Sequence, residues 1–71
     1  MTLTLTLTVD LRDVRLAGEI ISDDRYFNAL SRPYPDVWTM ETANADRIAD
    51  MRDALDSVLG TAGLNYELTI T

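Results

Sequence analysis

The first eleven residues allow little but an extended strand. From Thr2 to Leu11 the chain reads TLTLTLTVDL, with Leu3, Leu5, Leu7, Val9 and Leu11 alternating with Thr2, Thr4, Thr6, Thr8 and Asp10. A period of two sends the apolar set to one face and the polar set to the other, and Thr is β-branched and favours strand. Such a strand is apolar on one side only, so a second layer must cover that side. A strand this long at an open edge invites aggregation, which favours a central position or dimerisation through it.

A second alternating run follows, with Val14, Leu16, Gly18 and Ile20 against Arg15, Ala17, Glu19 and Ile21. A two-residue turn at Arg12-Asp13 pairs Leu11 with Val14, Val9 with Leu16, Leu7 with Gly18 and Leu5 with Ile20. Every apolar residue then shares one face, and Asp10 meets Arg15 on the other. The rival is a helix over residues 10–21 using Leu11, Val14, Ala17 and Ile21. Gly18 in mid-helix costs ~1 kcal/mol against Ala, so the expectation is an N-terminal β-hairpin.

Ser22, Asp23 and Asp24 suit the cap and first turn of a short helix with Tyr26, Phe27 and Leu30 on its apolar side. Pro33 ends it, and the Pro33-Tyr34-Pro35 connector stays extended. Asp36 to Thr42 reads as a strand with Trp38 and Met40 on one face. Leu64 to Thr71 closes the chain as another strand, alternating Leu64, Tyr66, Leu68 and Ile70 with polar residues.

Between these strands lies the longest helical pattern, Asn44 to Leu59. At about 100° per residue, Ile48, Met51, Leu55, Val58 and Leu59 form one apolar arc. Asp46, Asp50, Asp53 and Ser57 fall within about 40° of the opposite pole, with Arg47 and Arg52 at the borders. Asn44 is the N-cap, and Gly60 and Gly63 are the stop signals. The expected fold is therefore α+β: a two-layer sandwich of order ββαβαβ, a mainly antiparallel sheet with two helices on one face, forming one domain over residues 1–71.

Composition excludes several chemistries. The 71 residues contain no cysteine and no histidine, so disulfides, thiolate zinc sites and imidazole catalysis are ruled out. The carboxylate pairs Asp23–Asp24 and Asp50–Asp53 lack the apolar surroundings that would separate their pKa values for two-carboxylate catalysis. No Ca²⁺-loop spacing occurs, and the helix aspartates point outward in a line. No enzymatic role, cofactor or metal is expected. No apolar run approaches the ~20 residues of a membrane span, and without a basic stretch followed by an apolar block near Met1 no signal peptide is expected. A cytoplasmic location is expected, and a chain this short rests on packing as a monomer or a homodimer.

Charge provides the functional lead. Twelve acids against six arginines give a net charge of −6 without any lysine. Residues 1–35 carry five acids and four arginines, and residues 36–71 seven acids and two arginines. Direct binding to nucleic acid or to an anionic membrane is disfavoured, and a basic protein surface is the natural complement. Asp46, Asp50 and Asp53 stand ~6 Å and ~4.5 Å apart along the axis, against one charge per ~1.7 Å for duplex DNA. To imitate DNA the row needs neighbours, and Asp56, Glu41, Asp36 and the Asp23–Asp24 pair are the candidates. The competing explanation is solubility alone, with the chain a small structural or assembly subunit that associates through its strand edges.

A short, acidic, cysteine-free chain carrying the Asp46–Asp50–Asp53–Asp56 series and no catalytic signature resembles the small phage-encoded anti-CRISPR proteins. It is similar in particular to type I inhibitors that block target-DNA recognition with an acidic surface. The resemblance implies binding to a basic DNA-recognition subunit of a CRISPR effector complex, in the cytoplasm of a host cell. The balanced N-terminal half implies a partial rather than a uniform DNA mimic.

Overall fold

Four residues, Asp10 to Asp13, decide the topology. In the computed structural model, which describes residues 1–71, strand β1 (Leu3–Val9) does not fold back as a hairpin. The Asp10 carboxylate accepts the Arg12 amide at 2.9 Å, and the Asp13 amide donates to the Asp10 carbonyl at 2.8 Å. This Asx-type turn curls the backbone into the right-handed region, and Asp13 (φ −107°, ψ 0°) leads into helix α1 (Val14–Ser22). The expected hairpin is thus corrected to the rival helix, which buries Ala17 and Ile21 and leaves Leu11 exposed. The Arg12 amide, and then its guanidinium, hold the Asp10 carboxyl below the usual carboxylate range.

The glycine that counted against this helix has a packing reason. Arg32 lies 4.4 Å over the ring of Trp38, and its Nε donates to the Pro35 carbonyl at 2.9 Å. A Cβ on Gly18 would stand 3.3 Å from that guanidinium, a tight approach that glycine relieves. Ser22 is the last residue of α1 rather than a cap, and its hydroxyl donates back to the Gly18 carbonyl at 2.6 Å. The cap is Asp24, whose carboxylate accepts the Tyr26 amide and opens a 3-10 helix over Arg25–Ala29. Phe27 is its buried residue.

The segment expected as an extended connector is the fourth strand, β2 (Ser31–Tyr34), and β3 (Val37–Thr42) follows after a turn at Pro35-Asp36. Helix α2 (Ala45–Ala62) and β4 (Tyr66–Ile70) complete the chain. The sheet order is β2-β3-β1-β4 with every pairing antiparallel, so β1 is central. The fold is α+β, with both helices on one face of a four-stranded antiparallel sheet. The order is βαββαβ rather than ββαβαβ, because 14–22 is helix and 31–34 is strand.

The core is wholly apolar. Leu5, Leu7 and Val9 of β1 and Trp38 and Met40 of β3 meet Ala17 and Ile21 of α1, Phe27, Ile48, Met51, Leu55 and Leu59 of α2, and Leu64. No polar or charged residue is buried. Thr4, Thr6 and Thr8 point to the other face, where Thr6 lies between Thr39 of β3 and Thr69 of β4.

Helix α2 runs past Gly60 and stops at Gly63, which takes the left-handed conformation (φ 74°). The Gly63 amide donates to the Gly60 carbonyl at 3.1 Å and the Leu64 amide to the Leu59 carbonyl at 3.2 Å, with Leu59 and Leu64 both buried. The two glycines therefore answer oppositely to alanine. A Cβ at Gly60 would meet only the Tyr66 hydroxyl at 3.5 Å, an ordinary contact. Gly60→Ala should stabilise the protein by about 0.5–1 kcal/mol in urea unfolding, through helix propensity. Gly63→Ala should destabilise it by about 1–2 kcal/mol, because the left-handed conformation is strained for a residue with a Cβ. Equal responses at the two sites would refute this capping scheme.

Candidate protein-binding surface

The outward face of α2 is built from its first turn. The Asn44 side-chain oxygen accepts the amides of Asp46 at 3.0 Å and Arg47 at 3.3 Å, fixing where the helix begins. From that start, Ile48, Met51, Leu55 and Leu59 fall on the sheet, and Asp46, Asp50 and Asp53 are left exposed. Neither Asp46 nor Asp50 has an ion-pair partner, whereas Asp53 lies 3.2 Å from the Arg52 guanidinium. That pair is exposed and worth less than about 1 kcal/mol, so Arg52 can leave without great cost when a basic partner arrives.

Asp56 leaves the row. Its carboxylate and its carbonyl both accept the Tyr66 hydroxyl, the carbonyl at 3.2 Å, which ties the second half of α2 to β4. That hydrogen bond, followed by burial and by the negative charge of Asp56, raises the Tyr66 phenol above its ordinary 10.0.

The remaining candidates disperse. Glu41 is paired with Thr4 in the register and points away from Trp38 and Met40, so it lies on the sheet face opposite α2. Asp36 is in the β2–β3 turn, and its carbonyl accepts the Val9 amide at 2.9 Å, which puts it at the end of the sheet where β1 finishes. Asp23 and Asp24 lie between α1 and the 3-10 helix, and Asp24 is occupied as a cap. That 3-10 helix ends at Ala29, which shares a shallow hollow with Met40, Glu41, Thr42 and Arg47 beside the start of α2. No three acidic residues converge in a way that could hold a metal ion.

A second acidic grouping escaped the sequence reading. The Asp13 carboxylate accepts the Asn65 amide at 3.0 Å, linking the start of α1 to the start of β4. Asp10 and Glu67 line a shallow hollow with Thr8, Val9, Asn65 and Tyr66 at that same end. These contacts span more than fifty residues of sequence, and only the strand order reveals them. Both hollows are open, and no buried side-chain nitrogen or oxygen lacks a partner. No helix is long and apolar enough to cross a membrane.

Comparison of the chain with protein-family models, with curated proteins and with solved structures finds no match.

The Tyr66–Asp56 contact gives a pH-dependent expectation. A group whose folded pKa exceeds its unfolded value adds stability that is complete below the unfolded value, 10.0 here. It is lost as the pH rises through the folded pKa. NMR titration of the Tyr66 ring should show a midpoint above 10.0, and Asp56→Ala should bring it down towards that value. A midpoint unmoved by Asp56→Ala would show that burial, not this contact, sets the shift.

Proposed function

We propose that the protein is a non-enzymatic acidic inhibitor that covers a basic, DNA-recognising surface of another protein with the outward face of α2. The observation that carries this reading is the unpaired, exposed Asp46–Asp50 side of a helix whose opposite side is fully used in the core. Charge complementarity of this kind gives fast, salt-sensitive association, and the net charge of −6 adds long-range steering. The resemblance to anti-CRISPR proteins supports a CRISPR effector's DNA-recognition subunit as the partner, met in the host cytoplasm.

The dispersal of the other candidates narrows the contact. Glu41 and Asp36 lie away from the α2 face, and Asp56 is tied to Tyr66. Asp46, Asp50 and Asp53 therefore carry the docking. This is a short acidic ridge that blocks a DNA path, not a replica of the duplex.

The immobilised protein should retain a basic nucleic-acid-binding protein from a host lysate at low salt and release it at high salt. Retention of no such protein at low salt would sink the proposal. Reversing Asp46, Asp50 and Asp53 to Arg removes about three exposed contacts of ~1 kcal/mol, so affinity should fall by about a hundredfold. Reversing Asp36, Glu41 and Glu67 changes net charge equally but leaves the ridge intact, and affinity should fall much less. Equal losses would mean that overall charge, not α2, makes the contact.

A further inference from the structure

The two edges of the sheet differ in what they leave free. β2 is short, its register against β3 shifts between Ser31 and Tyr34, and Pro33 has no N–H to offer. β4 has neither a register shift nor a proline. Thr4 and Thr71 exchange two backbone hydrogen bonds, both at 2.9 Å, which sets the alternation along the strand. Thr71, Thr69 and Glu67 turn their amide groups towards β1, and Tyr66, Leu68 and Ile70 turn theirs outward. β4 is last in the strand order, so no strand receives those groups.

The same three residues carry an apolar margin. Leu5 and Leu7 on the neighbouring strand are 0% exposed, whereas Tyr66 and Leu68 are half-buried and Ile70 is 38% exposed. The helical layer thus closes over β1 and covers β4 only in part, least at Ile70.

We propose that β4 pairs with β4 of a second copy of this chain, antiparallel about a two-fold axis at Leu68, joining two sheets into one. This register engages the outward amide groups of all three residues. Leu68 faces Leu68 of the partner subunit, and Tyr66 faces Ile70 of the partner subunit, each pair exchanging two backbone hydrogen bonds. On the outer face Glu67 meets Thr69 of the partner subunit, so the one carboxylate of the strand avoids its own image. Centring the axis on Glu67 would oppose two carboxylates and leave Ile70 facing beyond the strand, and centring it on Thr69 would leave Tyr66 without a partner. Only the axis at Leu68 pairs all three outward residues while keeping the two carboxylates apart, and this self-complementarity favours a second copy over a foreign peptide.

Both copies are acidic, so added salt should strengthen this association by screening repulsion, whereas it weakens docking through α2. The two readings thus fail independently. Sedimentation equilibrium up to millimolar concentration should show the mass rising towards twice that of the chain. Ile70→Lys should raise the dissociation constant by about tenfold or more while the circular dichroism stays native. Leu68→Pro should give a monomer as well, since the N–H it removes makes no bond within the chain. With no native cysteine present, Glu67→Cys mixed with Thr69→Cys should crosslink on oxidation, and neither should do so alone. A monomer at every concentration would overturn the proposal. So would a dimer indifferent to Ile70→Lys, or single variants that crosslink as readily as the mixture.

Discussion

Burial of one face of β1 is the constraint on which the rest of the structure depends. Leu5, Leu7 and Val9 are all but inaccessible to water, and each such side chain contributes roughly 1.5–3 kcal/mol when taken from water. To reach that burial the strand must be flanked on both sides and covered from above. β3 and β4 supply the flanks, and α2, laid across β1 and β3, supplies most of the cover. A hairpin with residues 14–21 would have used that segment as a flank, and Ala17 and Ile21 would then be missing from the layer that covers the sheet.

Because the core takes no charged side chain, all twelve acids and six arginines are left to the surface. The local turns then claim several of them. Asp10 holds the Arg12 amide, Asp13 holds the Asn65 amide, Asp24 caps the 3-10 helix and Asp56 receives the Tyr66 hydroxyl. What remains uncommitted on α2 is Asp46 and Asp50, with Asp53 only lightly engaged by Arg52. A large negative charge and a small free acidic ridge are therefore consistent with each other: much of the acid does structural work at chain reversals.

The threonine rows have a comparable origin. Thr4, Thr6 and Thr8 are the obligatory outward partners of buried apolar residues on a pleated strand, and β3 and β4 set Thr39 and Thr69 beside Thr6. β-branching stiffens this uncovered face without placing a charge at its centre. The sheet thereby carries hydroxyls on one side and helices on the other, which leaves its two edges and the outer side of α2 as the surfaces that differ most from one another.

Local pattern by itself determined four things: that strands lie within 2–11, 36–42 and 64–71, that a helix capped by Asn44 runs at least to Leu59, which of their faces are apolar, and that the protein is acidic without thiol or imidazole chemistry. Periods of two and 3.6 and a capping side chain are local physics, so they are legible without neighbours. Residues 10–22 were not legible. Their apolar spacing satisfies both a strand and a helix, and the decision falls to the Asp10 turn and to long-range packing, in which Gly18 lies against Arg32 of β2. The Pro33-bearing strand was missed for a related reason, since a proline is tolerated in a sheet only at an edge, and edges exist only once strand order is set. The same holds for the acidic surface. Helical spacing placed Asp46, Asp50 and Asp53 in one row, but whether Glu41, Asp36 and Asp56 joined them depended on which sheet face, which end and which tyrosine they met. Those are long-range relations, and tertiary packing alone decided them.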